Sequence, residues 1–314
     1  MEDMAETMRA IIQDELGGPD VLHPATIERP EPGIGQVLVR VAAAGVNPAD
    51  AMNRQTGVFS GPPPFVLGWD VSGVVEQVGP GVTLFAPGDE VFGLLPFPRG
   101  GGAYAEFALA PARALVAKPA LLSHVQAAAL PLAGLTAWQA LVETAAVVEG
   151  SRVLITGAAG GVGHLAVQIA TARGAHVIGL TSEANADYVR ALGAAEILDY
   201  RAVEFSEVVD DLDVVLDVVG ADYPLKALRT LRPGGFLVST LPQSLTAAAP
   251  AAAEQGIRVA GLFVESDRLG LSAIADLADT GRLAPTIAAT YPLEEAAAAH
   301  ATKHGAGKVV LTLS

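Results

Sequence analysis

Two rhythms of apolar and polar positions divide the chain. Up to about Ala120, short β-rich runs (Gln36 to Ala43, Val71 to Val78, Glu90 to Leu94 and Tyr104 to Leu109) alternate with turn signals written GGP, PEPG, GPPP, GPG and APGD. Runs of that length between Gly and Pro clusters predict an irregular, mostly antiparallel barrel whose turns are long enough to carry function. From about Ser123 apolar runs alternate with helical spacing. Val153 to Thr156, His176 to Leu180, Glu196 to Leu198, Val214 to Val218 and Phe236 to Ser239 read as fully buried strands. That βαβ alternation predicts an α/β architecture with a parallel, doubly wound sheet. Beyond Ala260 come a helical stretch from Leu269 to Thr280, an Ala-rich one from Leu293 to Lys303, and a last strand from Lys308 to Leu313, free to pair with the barrel. The Ala-rich patches Thr246 to Ala253 and Ala296 to Ala299 read as helix-former bias.

Composition narrows this picture. A chain of 314 residues exceeds the size at which one core stops growing, so two domains are expected. With 51% apolar and 17% charged residues it belongs with globular chains. Its 19 basic and 34 acidic side chains give a formal charge of -15, a field that repels phosphate polyanions and anionic lipid, so nucleic-acid and membrane partners are not expected. The apolar region Ala127 to Val148 is interrupted by Pro131, Gly134 and Glu143 and reads as buried core. The acidic start MEDMAETM has no apolar h-region, which makes a cytoplasmic protein the expectation. Zero cysteines exclude disulfides, thiolate nucleophiles and sulfur-ligated zinc.

The strongest chemical signal is VLITGAAGGVGHLAVQIA, Val153 to Ala170, where a buried strand runs through glycines into a helix. Ala158, Gly160 and Gly163 take the three fingerprint places of a dinucleotide loop. Such a loop offers a tight turn, backbone that a pyrophosphate can approach, and helix N–H groups with a positive dipole end. Gly161, Val162 and Gly163 are the expected contacting amides. An NAD site expects a carboxylate about 20 residues on. Here the next strand ends in Thr181 and Ser182, small hydroxyls that suit a 2′-phosphate, and Glu183 falls in the loop beyond. NADP is the favoured cofactor.

Seven stretches in this order resemble the medium-chain dehydrogenase/reductase superfamily, and within it the zinc-independent quinone oxidoreductase (zeta-crystallin-like) group. They are AGVNPAD from Ala44, LGWDVSG from Leu67, GDEV from Gly88, GAYAEF from Gly102, GLTA from Gly134, the glycine loop, and GKVVL from Gly307. The resemblance implies a GroES-like β-barrel catalytic domain over 1–125 and 266–314 and a Rossmann cofactor domain over 126–265. It also implies NADPH, a homodimer, and hydride transfer to a quinone or activated alkene. Thr136, Val219, Gly220 and Ser239 to Leu241 match positions near the nicotinamide, and Tyr200 matches an aromatic beside the adenosine phosphate. Two departures stand out. Asn185 occupies the place of a lysine that pairs with the 2′-phosphate in many relatives, which leaves Arg190, Arg201 or Lys308 as cationic partners. Where some relatives carry a tyrosine, this chain reads Ala51-Met52-Asn53-Arg54.

The histidines at 23, 124, 164, 176, 300 and 304 lie outside motifs that would supply zinc ligands. His164 opens the Rossmann helix, and His300 and His304 fall late in an exposed-looking helix, so structural or solvated roles are expected. Without a Lewis acid, reduction of a quinone or of the conjugated C=C of an enone or enal is the expected chemistry, because the conjugated carbonyl spreads the developing charge. Asn47 is the expected hydrogen-bond donor to ring or substrate, Tyr104 or water the proton source, and Asp50 a loop-fixing residue with a lesser catalytic claim. Arg54 either orients an acidic substrate or sits on the surface. The stretch Arg99 to Gly102 reads as a mobile lip or an exposed loop. Trp69 stands where zinc-dependent relatives carry a histidine ligand, and it either walls the substrate cleft or simply packs. An enoyl-thioester reductase and a non-catalytic NADPH-binding sensor remain open alternatives.

Overall fold

In a computed structural model that describes residues 6–313, the chain opens with β1 (Thr7–Gln13), β2 (His23–Glu28), β3 (Gln36–Val46), β4 (Phe65–Val66), β5 (Asp70–Val78), β6 (Glu90–Leu94), β7 (Phe107–Pro111) and β8 (Leu115–Ala117). Next come β9 (Arg152–Ile155), β10 (His176–Thr181), β11 (Glu196–Asp199), β12 (Leu212–Asp217), β13 (Leu231–Ser239) and β14 (Arg258–Gly261), separated mostly by helices. The chain closes with β15 (Ile287–Pro292) and β16 (Lys308–Thr312). It divides into two compact units, Met1–Leu135 with Glu265–Gly281 and Pro285–Ser314, and Thr136–Val264 with Arg282–Ala284.

The first unit carries two sheets. One runs β2-β1-β4, and the other runs β15-β16-β3-β5-β6-β8 with β7 also on β3. As the pattern allowed, the last strand returns to the barrel, with Val309 opposite Val46 and Thr312 opposite Ala43 in an antiparallel pair. β3 is long because it serves several partners. Its register slips twice against β5, between Leu38 and Val39 and between Val41 and Ala43, and such bulges bend a strand into barrel curvature. The apolar pattern missed β1, β2 and β15, whose burial alternates or lies mostly at the surface, and the short strands β4 and β8, of two and three residues.

The second unit is a parallel six-stranded sheet in the order β11-β10-β9-β12-β13-β14. Its centre is apolar on both faces: Leu154, Ile178, Leu180, Val215 and Leu237 are buried in one cluster on one face, and Val153, Ile155, Val177, Leu216 and Val238 are buried on the other. The expectation of full burial fails for β11, where every residue is half-buried or exposed, because an edge strand has a neighbour on one side only. The strand order reverses between β9 and β12, and at such a switch point the carboxyl ends of the strands frame a crevice.

Candidate functional site

The glycine loop follows from β9. Gly157 takes a left-handed φ of 57°, and the Gly160 amide closes a tight turn onto the Gly157 carbonyl at 2.9 Å. A ten-residue helix, Gly163–Ala172, then begins. A Cβ on Gly163 would lie 2.2 Å from the Gly157 oxygen and 2.8 Å from the Ala158 Cα, so glycine is what lets helix and strand approach. His164 Nδ1 meets the Gly160 carbonyl at 2.9 Å. A carbonyl only accepts, so the ring donates and holds the loop, a structural role. Among the described residues the amides of Gly161, Val162 and Gly163 have no backbone acceptor. They stand at the positive end of the helix, with Gly160 exposed beside them.

At the carboxyl ends of β10 and β11, Thr181 and Ser182 are buried, and Asn185 Nδ2 donates to Ser182 Oγ at 3.3 Å. Glu183 is exposed in the 3-10 turn Glu183–Asn185. Tyr200 is also exposed, its amide bonded to the Thr181 carbonyl at 3.2 Å. The Arg201 guanidinium lies 5.4 Å from the Tyr200 ring centre. Of the three candidate cations, Arg190 pairs with Asp187 at 2.6 Å and Lys308 is buried and already paired with Asp70 at 3.6 Å. Arg201 therefore remains as the exposed cation at these strand ends whose guanidinium has no carboxylate partner among the described residues, its backbone amide donating to Asp199 Oδ1 at 3.0 Å.

One residue of this edge escaped the sequence reading. Asp217, fully buried at the end of β12, accepts at Oδ1 from Thr156 Oγ1 (3.2 Å) and from the amides of Val219 and Gly220 (both 3.0 Å). Its Oδ2 accepts from Ser239 Oγ at 2.7 Å, and Ser239 in turn accepts from the Leu241 amide at 3.2 Å. One carboxylate thus ties together the ends of β9, β12 and β13, and fixes the Val219, Gly220, Ser239 and Leu241 segments. An acid inside the apolar run LDVVLDVVG was the available signal. Thr136 lies buried in the helix Pro131–Trp138.

In the first unit, Asn47 precedes the helix Pro48–Thr56, and its amide donates to Asp50 Oδ2 at 2.7 Å. The Asn47 side chain is fully engaged: Nδ2 donates to Asp70 Oδ2 at 2.8 Å and Oδ1 accepts from Lys308 Nζ. Lys308 also donates to the Val46 carbonyl at 3.2 Å and pairs with Asp70 at 3.6 Å, while the Leu132 amide donates to Asp70 Oδ1 at 2.6 Å. Burial pushes both carboxyls up, Asp50 to about 7 with the Asp70 charge adding to the effect, and the Asn47 amide and Lys308 oppose the rise.

Arg54 is 2% exposed, so its surface reading does not hold. Nε donates to the Gly17 carbonyl at 3.1 Å and Nη1 to His300 Nδ1 at 2.8 Å. His300 Nε2 meets the hydroxyl of Tyr104, itself 0% exposed, at 3.0 Å. His300 is thus engaged rather than solvated, and burial with the Arg54 charge pushes it down to about 4. Burial, with the charges of Asp50 and Asp70, raises the Tyr104 phenol well above its usual range.

Trp69 is 1% exposed and packs edge-on against Phe59 and Phe97, with ring centres 5.8 and 5.1 Å away. Its Nε1 is buried without a hydrogen-bond partner among the described residues. The Arg99 to Gly102 stretch lies against it, a Cβ on Gly101 falling 3.6 Å from Nε1, and the Gly102 amide is bonded to the Gly68 carbonyl at 2.9 Å. The described residues contain no group of three His, Asp or Glu placed to hold a metal, and the sequence has no cysteine. The donor set does not fit a zinc ion.

Comparison with known proteins agrees with this geometry. Residues 33–120 match the family model described as alcohol dehydrogenase GroES-like domain, and residues 192–311 match that described as zinc-binding dehydrogenase. A 2-haloacrylate reductase of Burkholderia sp is 38% identical over 93% of this chain and 94% of its own length. The structure of a quinone oxidoreductase from Coxiella burnetii superposes with a TM-score of 0.91 at 34% identity, covering 98% of this chain and 100% of that one. The Escherichia coli quinone oxidoreductase complexed with NADPH superposes with a TM-score of 0.87 at 27% identity, over 97% and 100% of the two chains.

Proposed function

The chain belongs to the medium-chain dehydrogenase/reductase superfamily, in its zinc-independent quinone oxidoreductase group, and on that footing we propose that it uses NADPH to reduce a quinone or the conjugated C=C bond of an enone or enal. It is an oxidoreductase with a nicotinamide-dinucleotide-binding fold. The observation that carries the reading is the edge formed by β9 and β10. Three amides at a helix start have no backbone acceptor, and the next strand ends in Thr181 and Ser182, with Arg201 just beyond the paired strand end at Asp199. The amides of Gly161, Val162 and Gly163 hold the pyrophosphate. Thr181, Ser182 and Arg201 take the 2′-phosphate, and Tyr200 lies beside the adenosine.

NADPH supplies the hydride, which reduces the acceptor carbon while the nicotinamide is oxidised. Thr136, Val219, Ser239 and Leu241 shape the nicotinamide end of the cradle. The buried placement of Asn47, Asp50, Tyr104, Arg54 and Lys308 supports a supporting role for this cluster, and water supplies the proton that completes reduction, since Tyr104 is wholly enclosed. Trp69, with Phe59 and Phe97, backs an apolar wall. We also propose a homodimer, which light scattering tests.

The test mixes purified protein with NADPH and a panel of quinones, enones, enals and enoyl thioesters and follows loss of reduced-cofactor absorbance. Turnover of a quinone or free enone is expected. Tight NADPH binding with no turnover across the panel sinks the reductase reading, and preference for thioesters over their free analogues reassigns the substrate.

A further inference from the structure

Asp217 is a buried carboxylate with no cation. It is 0% exposed, and no described lysine, arginine or histidine lies within ion-pair distance of it. Its partners are two hydroxyls, Thr156 and Ser239, and two amides, Val219 and Gly220. Neutral donors of this kind satisfy a carboxylate's lone pairs without cancelling its charge. A buried unpaired charge is costly, and helix or strand packing alone does not require one, since a neutral amide would fill the same space. Two of the four donors belong to the Val219–Gly220 turn and a third is Ser239. These are the segments assigned above to the nicotinamide end of the cradle.

We propose that Asp217 is a positioning residue whose uncompensated charge biases the cofactor site toward the oxidised nicotinamide and so strengthens bound NADPH as a hydride donor. The inference rests on the cofactor reading above. The oxidised ring carries one positive charge that the reduced ring lacks. A fixed negative charge held in a water-poor edge therefore favours NADP+ over NADPH. By the binding cycle, whatever factor favours NADP+ in affinity also favours hydride transfer out of the bound cofactor.

Asp217→Asn tests the charge while keeping the shape. The amide oxygen can accept from Thr156 and both turn amides as Oδ1 does now, and only the second reach of the Gly220 amide, to Oδ2 at 3.2 Å, is lost. The amide nitrogen would donate to Ser239 Oγ, whose hydrogen is free to turn to the Leu241 carbonyl or to Ser244 Oγ, 3.5 and 3.3 Å away. Dissociation constants for NADP+ and NADPH are measured separately by calorimetry. The ratio of the NADP+ constant to the NADPH constant is expected to rise about tenfold in Asp217→Asn. It should stay unchanged in Ser239→Ala, which loses a contact but not the charge, whatever happens to the two affinities together. If Asp217→Asn does not fold, Val219→Lys, at a position 41% exposed beside the carboxylate, must move the ratio the same way. Equal weakening of both forms overturns the inference and leaves a purely structural Asp217. Failure of the unaltered protein to bind either form would instead overturn the cofactor reading.

Discussion

Arg54 Nη1 lies 2.8 Å from His300 Nδ1, and that contact sets the direction of a buried chain of hydrogen bonds. A guanidinium can only donate, so Nδ1 accepts and the neutral ring carries its proton on Nε2. Nε2–H then donates to the Tyr104 hydroxyl at 3.0 Å, so that hydroxyl must direct its own hydrogen away from the ring. A neutral histidine is thereby locked between a cation and a phenol.

This pair predicts opposed pH slopes. Asp50 is raised from 3.8 to about 7, so the folded chain binds its proton more tightly than the unfolded chain, and stability falls as pH rises through that window. His300 is lowered from 6.5 to about 4, so the folded chain binds its proton less tightly, and stability is lost as pH falls through that window. Thermal unfolding between pH 4 and pH 7 should show His300→Gln steepening the decline toward neutral pH relative to the unaltered protein. Asp50→Asn should tilt the profile upward relative to the unaltered protein, with the raised Asp70 still opposing the rise, and parallel profiles for all three proteins would contradict the assignment.

The Asp70 carboxylate depends on Lys308 inside the first unit. Lys308→Met leaves a buried carboxylate without its cation and is expected to cost about 3–5 kcal/mol in urea unfolding. Adding Asp70→Asn to that variant should recover part of the loss, because the stranded charge is then gone. A single-variant cost below about 1 kcal/mol would show the pair to be unimportant.

Gly163→Ala places a methyl 2.2 Å from the Gly157 oxygen. Strand and helix must separate, which is expected to cost about 1–3 kcal/mol and to weaken cofactor binding, since the same helix start carries the free amides. Gly234→Ala provides a contrast: a Cβ there meets nothing within 4 Å, although its φ of 81° adds local strain, and cofactor binding should be unchanged.

Arg201→Ala separates the two cofactors. NADPH affinity should drop about tenfold while NADH affinity stays within about twofold, as expected for loss of one charge-assisted contact to the 2′-phosphate. Equal losses for both would move the phosphate partner elsewhere.

Trp69→Ala empties space shared with Phe59 and Phe97 and should cost about 3–5 kcal/mol. A Trp69→His variant is expected to bind no zinc in a metal-exchange assay, because no second and third ligand accompany it among the described residues.

Local pattern determined much of this protein. The strand-glycine-helix sequence from Val153, the alternation behind the parallel sheet, and the final strand from Lys308 all follow from periodicity and turn chemistry, which act between near neighbours. The family is likewise written in short motifs. What tertiary structure alone decided is the state of the charged side chains. Arg54 and Tyr104 are enclosed by His300, 246 and 196 residues distant in sequence, and Lys308 closes onto Asn47 from 261 residues away. Asp217 gains its role only when the ends of β9 and β13 flank it. Burial and pairing of a charge depend on what the fold brings beside it, and no spacing rule within a single segment carries that information.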